Sequence, residues 1–381
     1  MMKRTMTALT LVFAAACSRD ETLPLGPNSA TALLTTAAPT VSQLYTESND
    51  VSANAILAFD RAADGSLTPA GSYPTGGTGT GAGLGSQGAV TLTRDGRYLL
   101  AVNAGSSEVS LFAIRSNGSL ELSSRVGSGG ITPISVTNWG SLVYVLNGGG
   151  TGNIAGFRLI NGRLTPIAGS SRPLSSSAAG AAQVSFAPNG KALVVTEKST
   201  NSIDTYAVDA NGLATGPVVN PSSGATPFGF EFSSSGLLVV SEAFGGAPDG
   251  SAVSSYEVIR TSGALRWISP SVGTTETAAC WIAITPNQHF TYTTNTASGT
   301  ISGYSIVQGV LVLLDADGVT GNIGAGSSPT DLGVTGDGHF LYANASGAHT
   351  ITGFDIASDG SLAPVVGAPS IPVGAAGLAV R

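Results

Sequence analysis

The stretch GAAGLAVR, residues 374–381, has the pattern of one short β-strand that stands alone in the sequence. Its apolar part, GLAV at 377–380, is similar to strands that open repeated units elsewhere in the chain. A solitary strand must pair with a distant segment, because an unpaired strand edge leaves backbone groups without hydrogen bonds. The segment with which it pairs therefore decides the fold.

A pattern of four β-rich segments recurs along the chain. In each unit the second segment ends in Asn or Glu, the third ends near Phe or Tyr, and the fourth has a Gly-x-Leu-like start. The second-segment anchors are Glu47, Asn103, Asn147, Glu197, Glu242, Asn295 and Asn344. The third-segment anchors are Phe59, Phe112, Phe157, Tyr206, Tyr256, Tyr304 and Phe354. Repeated four-stranded units of roughly 50 residues are typical of a β-propeller, here with one blade per unit.

The first segments of the units are recognisable in six places. They are GAVTLT (88–93), PISVT (133–137), AAQVSFA (181–187), FGFEFS (228–233), CWIAIT (280–285) and TDLGVT (330–335). The unit that begins near Leu44 has no such segment before it, and GLAV supplies the missing copy. The sequence therefore predicts an all-β, seven-bladed β-propeller over residues 41–381, closed by the C-terminal strand joining the first blade.

Composition agrees with this prediction. The chain has 381 residues, 52 of them Gly, and only 10% are charged, which suits short strands and tight turns. The net charge of −7 makes nucleic acid an improbable partner. A closed ring has no free sheet edge that demands a partner, so a monomer is expected.

The N-terminus predicts export. MMKRTMTALTLVFAAAC, residues 1–17, combines a basic start with an apolar run too short to span a bilayer. Three Ala followed by Cys17 resemble the lipobox of bacterial lipoproteins, which implies lipidation of Cys17; cleavage without lipid is the alternative. Residues 18–40 are expected to be a flexible tether. We expect a protein of the cell envelope or periplasm that contacts the membrane only through its lipid anchor.

Second segments such as LYTES (44–48), VYVLN (143–147) and TYTTN (291–295) carry a resemblance to a known family. With seven units and Gly-x-Leu fourth segments, residues 41–381 resemble the lactonase family of seven-bladed propellers. That family includes 6-phosphogluconolactonases and carboxy-muconate cyclases, and is close to the YVTN-repeat proteins. The resemblance implies, if the protein is an enzyme, a lactone hydrolase. Its substrate would be a sugar or carboxylated lactone, bound at the mouth of the central channel.

The loops between second and third segments are expected on the same face as the blade connections, called here the loop face. Hydrolysis of a lactone requires a base or a metal to activate water, and donors for the oxyanion. Glu47, Glu197 and Glu242 are the candidate bases, or ligands of Ca²⁺ or Mg²⁺. Asn103 and Asn147 would contact substrate. The alternative is that these anchors bond to loop backbone and end the second strands.

Three further residues are candidates for the site. Arg172 would hold a substrate carboxylate or phosphate, and otherwise is an ion-pair or exposed loop residue. The cyclising relatives use a His, an Arg and a Glu at the channel mouth. His349 is the only His predicted on the loop face, as a base or a solvated side chain. Glu231, inside a first segment, would contact substrate if it points into the channel, where it would either meet water or have a shifted pKa.

The glycine-rich stretch GGTGTGAGLGSQG, 76–88, lacks the Gly-Lys-Ser/Thr ending of a phosphate-binding loop and is predicted to be a mobile flap on the loop face. Asp331 is a further carboxylate expected on that face. Two functions remain open from sequence. One is lactone hydrolysis, and the other is a non-catalytic envelope platform that binds a glycan or protein.

Overall fold

The structure, a computed structural model, describes residues 42–381, which form seven antiparallel sheets, each built on four main strands. Strands are numbered β1 to β30 along the chain, and blades 1 to 7 are counted from β1. The innermost strands of blades 1 to 7 are β30 (Ala376–Val380), β4 (Val90–Leu92), β8 (Pro133–Trp139), β13 (Ala181–Phe186), β17 (Pro227–Phe232), β21 (Ala279–Ile284) and β26 (Pro329–Val334). The second strands are β1 (Gln43–Glu47), β5 (Tyr98–Asn103), β9 (Leu142–Asn147), β14 (Ala192–Glu197), β18 (Leu237–Glu242), β22 (Phe290–Asn295) and β27 (Phe340–Ala345).

The outer half of each blade consists of a third strand and a shorter or more exposed fourth strand. The third strands are β2 (Ala55–Arg61), β6 (Glu108–Ile114), β10 (Asn153–Ile160), β15 (Ser202–Val208), β19 (Ala252–Val258), β23 (Thr300–Val307) and β28 (Thr350–Ile356). The fourth strands are β3 (Leu67–Pro74), β7 (Leu120–Gly127), β11 (Arg163–Pro166), β16 (Ala214–Pro221), β20 (Leu265–Gly273), β24 (Val310–Leu313) and β29 (Leu362–Pro364). Two-residue strands β12 (Arg172–Pro173) and β25 (Gly321–Asn322) also pair with β10 and β23. A 3₁₀ turn covers Phe244–Gly246.

The first blade is completed by the last strand. β30 pairs antiparallel with β1, placing Val380 opposite Leu44 and Ala379 opposite Tyr45. β30 also contacts the innermost strands of blades 2 and 7, so the seven innermost strands form a closed ring. The predicted seven-bladed propeller, with closure by GLAV, is confirmed.

The core lies between blades, since each pair of neighbouring blades encloses its own cluster of buried apolar side chains. The tyrosines of the repeated second-strand motif add polar links between blades. Tyr144 donates to the carbonyl of Gly212 at 2.8 Å, and Tyr292 donates to that of Gly360 at 2.8 Å. In each case the acceptor lies in the outer turn of the next blade. The motif therefore holds blades together, which gives its recurrence a structural cause.

The innermost strands all run from the loop face to the opposite face. The loop face thus holds the blade connections and the second-to-third loops, as expected. One anchor differs from the prediction: β27 ends at Ala345, and Asn344 lies one residue earlier, where its side chain bonds to Thr46 of blade 1. No helix within residues 42–381 has the length and apolar character needed to cross a membrane.

Candidate functional site

A central channel of about 280 Å³ runs between the seven innermost strands. Its wall consists mostly of small and apolar residues. Glu231 of β17 and Asp331 of β26 are the charged residues among those that line it. Carboxylates in such a wall are costly to ionise, because no cation lies beside them.

The glycine-rich segment closes the loop-face end of this channel. Gln87 reaches from the start of blade 2 to β21 of blade 6, where its Nε2 donates to the Ile282 carbonyl at 2.7 Å and its Oε1 accepts from the Ile282 amide at 3.1 Å. The backbone amide of Gln87 also donates to the Ala182 carbonyl of blade 4 at 3.1 Å. Gly229 leaves room for this side chain, since a Cβ there would lie 2.2 Å from Gln87 Oε1.

Three more contacts fix the preceding residues of the segment. The indole of Trp281 donates to the Ser86 carbonyl at 2.8 Å, and Ser86 Oγ donates to the Ile134 carbonyl at 2.7 Å. Lys198 Nζ donates to the Gly85 carbonyl at 2.6 Å. Burial lowers the pKa of Lys198, whose Nζ lies 4.8 Å from the Phe228 ring centroid. Residues 85–88 thus form a fixed plug instead of the mobile flap that the glycine content indicated.

A second cavity, of about 500 Å³, lies on the loop face above the plug. Its walls are residues 81–86 and 373–377, together with Trp281 and the hydroxyl residues Ser328, Thr330 and Ser346. Asp331 lines both this loop-face cavity and the central channel. It therefore sits at the boundary between the two spaces.

Asp331 combines several features of a functional carboxylate. Its residue is 3% exposed, and its backbone has a φ of 43°, a sparsely populated region for a residue other than glycine. Oδ1 accepts from the backbone amide of Leu332 at 3.1 Å, whereas the buried Oδ2 has no donor of normal hydrogen-bond geometry among residues 42–381. Burial raises the pKa of Asp331 to about 8, although the amides of Leu332, Leu378 and Gly88 oppose the increase.

Glu231 lies deeper in the channel, as the sequence indicated. Its Oε2 accepts from the Ile284 amide of blade 6 at 2.6 Å, and the residue keeps partial access to the channel. In a similar way, the side chains of Gln183 and Thr137 each bond to the backbone of the innermost strand of the following blade. Burial raises the pKa of Glu231 to about 7, and the Ile284 hydrogen bond opposes this.

The three predicted glutamates lie in blades 1, 4 and 5 and are not brought together. Glu242 Oε1 accepts from Ser254 Oγ at 2.6 Å and from the Gly224 amide at 2.8 Å, while Oε2 accepts from Ser271 Oγ at 2.6 Å. These donors all belong to blade 5 or the loop that leads into it. Glu242 thus holds the loops of its own blade in place.

Glu47 and Glu197 are equally buried. Glu47 Oε2 accepts from Asn54 at 3.1 Å, Oε1 has no partner, and burial raises its pKa well above the usual value, with a further contribution from Asp331. Glu197 accepts from the Ser175 amide at 2.9 Å and from Thr200 Oγ1 at 2.7 Å. Among residues 42–381 no group of three or more His, Cys, Asp and Glu side chains could hold a metal ion.

The predicted substrate contacts also lie apart. Asn103 donates to Ser110 Oγ at 2.8 Å, and Asn147 donates to the Ser128 carbonyl at 3.2 Å, so both are fully buried within their blades. Arg172, in β12 at the edge of blade 3, donates to the carbonyls of Gly169 and Ser171. His349 is exposed on the loop face, in the loop whose residues 346 and 347 line the loop-face cavity. Cys17, the predicted signal and the tether lie outside the described residues.

Sequence reasoning missed one carboxylate. Asp204 of β15 faces Glu197, and the Ser175 amide lies 3.1 Å from Asp204 Oδ2. Burial, together with the hydrogen bond and negative charge of Glu197, raises the pKa of Asp204 to about 8. At neutral pH this pair therefore holds a proton. The available signal was a carboxylate two residues before the anchor Tyr206, inside a third strand that is buried along most of its length.

A closed seven-bladed ring with a carboxylate between a mouth cavity and a plugged channel defines the protein as a β-propeller with a site on its axis. A sequence model of the lactonase family of seven-bladed β-propellers matches residues 44–174 and 151–280. The chain belongs to that family.

Solved structures agree on the fold. One assigned as a 6-phosphogluconolactonase from Bacteroides uniformis is 18% identical, with a TM-score of 0.72, covering 90% of this chain and 99% of that chain. The periplasmic gluconolactonase of Pseudomonas aeruginosa is 15% identical, with a TM-score of 0.68, covering 89% and 99%. A protein from Lactobacillus plantarum is 16% identical, with a TM-score of 0.72, covering 90% and 99%. No curated protein matches the chain.

Proposed function

We propose that the protein hydrolyses a small sugar lactone in the loop-face cavity, with Asp331 as the general base. The observation that carries this proposal is the unpartnered, buried Oδ2 of Asp331 at the floor of that cavity. Membership of the lactonase family supports it. A base of raised pKa is suited to take a proton from water as that water attacks a lactone carbonyl.

The same cavity offers donors for the oxyanion. Within residues 42–381 the backbone amides of residues 83–86 donate to no protein acceptor, and these residues line the cavity. Backbone amides held by a fixed loop can stabilise developing negative charge without reorganising. The anchoring of Gly85 and Ser86 by Lys198 and Trp281 provides that rigidity.

The lining of the cavity favours a neutral substrate. Its residues include hydroxyl groups and an indole edge, and none of them is Lys, Arg or His. A phosphate or carboxylate on the substrate would normally be held by such a cation. We therefore rank a neutral sugar lactone above a phosphorylated or carboxylated lactone.

The test is a pH-stat assay of proton release from gluconolactone, 6-phosphogluconolactone and a muconate lactone. Asp331→Asn should reduce the enzyme-dependent rate at least about 100-fold. Asn also tolerates a positive φ, so this variant should keep the fold. Asp50→Asn, at an exposed loop-face carboxylate, is the matched control. Wild-type rates equal to the spontaneous rate on every lactone would refute the proposal.

A requirement for Ca²⁺ or Mg²⁺, with Glu47, Glu197 or Glu242 as ligands, is tested by the same assay in EDTA. Loss of activity that added metal restores would support such a site. Unchanged rates would leave these glutamates as residues that hold loops.

The second candidate function is a binding platform without turnover. It is favoured by exposed apolar side chains on the outer strands of neighbouring blades, among them Val219, Trp267 and Val312. It predicts flat pH-stat traces together with retention of a glycan or protein from envelope extract.

For either function we propose that the protein is exported and anchored to the membrane through Cys17. In a membrane-fractionation assay, Cys17→Ser should abolish this anchoring.

A further inference from the structure

We propose that the central channel binds a small linear diamine, one ammonium at Glu231 and the other at Asp331. The inference shares Asp331 with the proposed hydrolysis but does not depend on that activity. It starts from Glu231, a carboxylate that the hydrolytic site does not use. The structural role of Glu231 is to accept one amide hydrogen bond, which a neutral side chain performs at Gln183. The negative charge is therefore unexplained by folding alone.

Each carboxylate has one oxygen that no donor among residues 42–381 reaches with normal hydrogen-bond geometry, although the amides of Leu378 and Gly88 lie near that of Asp331. Glu231 uses Oε2 for the Ile284 amide, and only that oxygen has a protein donor among residues 42–381. Asp331 is 3% exposed, lines the channel, and has an unpartnered Oδ2. Unfilled buried acceptors are expensive, and a ligand with N–H donors and positive charge would satisfy both.

The two carboxylates lie at different depths. Glu231 pairs with Val239 of β18, and Gly333 pairs with Tyr342 of β27. Val239 and Tyr342 each lie three residues before the end of their strands, so Glu231 and Gly333 lie at the same depth in the ring. Asp331 forms a bulge between Leu332, opposite Ala343, and Thr330, opposite Asn344, so it lies about 3–7 Å nearer the loop face than Gly333. The two residues also belong to blades 5 and 7, with blade 6 between them.

This separation selects a linear diamine over a metal ion. Ca²⁺ binds six or more oxygens at about 2.3–2.6 Å, so two carboxylates at different depths, in blades 5 and 7, match one ion poorly. A diamine instead places one charge at each depth, and its methylene chain would pack on apolar wall residues such as Val184 and Ile282. The remaining lining residues are uncharged, so no cation competes with the ligand.

The plug determines the route of entry. Gln87 and its neighbours close the channel at the loop face, whereas the lining continues to Leu92, Val334 and Val380 at the far ends of the innermost strands. The diamine would therefore enter from the opposite face.

Isothermal titration of the full-length protein with putrescine tests the proposal, with butylamine as the monoamine comparison. Wild type should bind putrescine at least about tenfold more tightly than butylamine. Glu231→Gln keeps an acceptor for the Ile284 amide and should remove that preference. Asp64→Asn removes one negative charge from an exposed turn and should leave binding unchanged. Equal affinities of wild type for the two amines, or unaltered putrescine binding by Glu231→Gln, would overturn the proposal.

A measurement on the wild type covers the case in which Glu231→Gln does not fold. A hydrophobic carbodiimide labels protonated buried carboxyl groups, and peptide mass spectrometry reports the label at Glu231. Putrescine should reduce that labelling several-fold, while butylamine at the same concentration should have little effect. Labelling of Glu231 that putrescine does not alter would contradict the proposed site.

Discussion

Gln87 and Ile282 exchange two hydrogen bonds across the central channel, although 195 residues separate them in sequence. This pair joins blade 2 to blade 6 through the interior of the ring. It converts a glycine-rich connection into a plug, and separates the loop-face cavity from the channel below. The boundary between the two spaces is where Asp331 lies.

Replacing Gln87 with Ala should loosen the plug. The variant loses both bonds to Ile282 and leaves that backbone unpaired in the channel wall. We expect hydrogen exchange in the peptide of residues 81–88 to accelerate at least about tenfold at its hydrogen-bonded amides, those of Gly81 and residue 87, with little change in the outer strands. Gln183→Ala is the matched control, because Gln183 makes the same two bonds to Phe230 without holding the plug. Equal acceleration of residues 81–88 in both variants would contradict this role.

The Asp204–Glu197 pair should make stability depend on pH. The pKa of Asp204 is about 8 in the folded protein, against an ordinary value of 3.8, so the folded state retains a proton that the unfolded state releases. Stability is then greatest at low pH and falls as pH rises between about 4 and 8. Asp204→Asn should flatten this part of the profile and raise Tm at pH 8 by a few degrees. Asp317→Asn, at an exposed turn, should leave the profile unchanged.

Closure of the ring should contribute measurably to stability. Leu378 of β30 is 7% exposed and packs in the cluster between blades 7 and 1. Leu378→Ala should lower the free energy of unfolding by about 2–4 kcal/mol in urea titrations. Val373→Ala, at a residue that is 68% exposed, should change it by less than about 0.5 kcal/mol. Similar values for the two variants would show that β30 adds little.

The pH profile of hydrolysis should report Asp331. As a general base it acts only when ionised, and its pKa is about 8. For a neutral lactone kcat/KM should therefore rise about tenfold per pH unit below pH 8 and level off above it, after subtraction of spontaneous hydrolysis. A profile that is flat from about pH 6 to pH 9 would exclude Asp331 as the base.

Sequence reasoning succeeded where information is local and repeated. Each innermost strand was recognisable because its apolar alternation recurs in every unit, and GLAV was assigned by the gap in that series. The anchor of blade 7 was placed one residue early, since Asn344 is similar to the other anchors while Ala345 is not. Asn and Glu at the strand ends indicated a ring of ligands, but each bonds within its own blade or to a neighbouring blade.

The functional geometry depends on contacts between distant residues. Glycine content indicated flexibility for residues 76–88, and only the three-dimensional positions of Trp281 and Lys198 explain why residues 85–88 are held in place. Asp331 was one of several acidic residues on the loop face. What distinguishes it is burial beside two cavities, which composition and spacing do not encode.

The pairing of β1 with β30 also has a consequence for biogenesis. Thr46 and Ala376, which are hydrogen-bonded in the finished protein, are 330 residues apart, so blade 1 emerges from the ribosome long before its innermost strand exists. The nascent chain must carry an incomplete first blade while the other six are made. Ring closure is then a late, long-range step, which predicts slow folding and a period of dependence on chaperones.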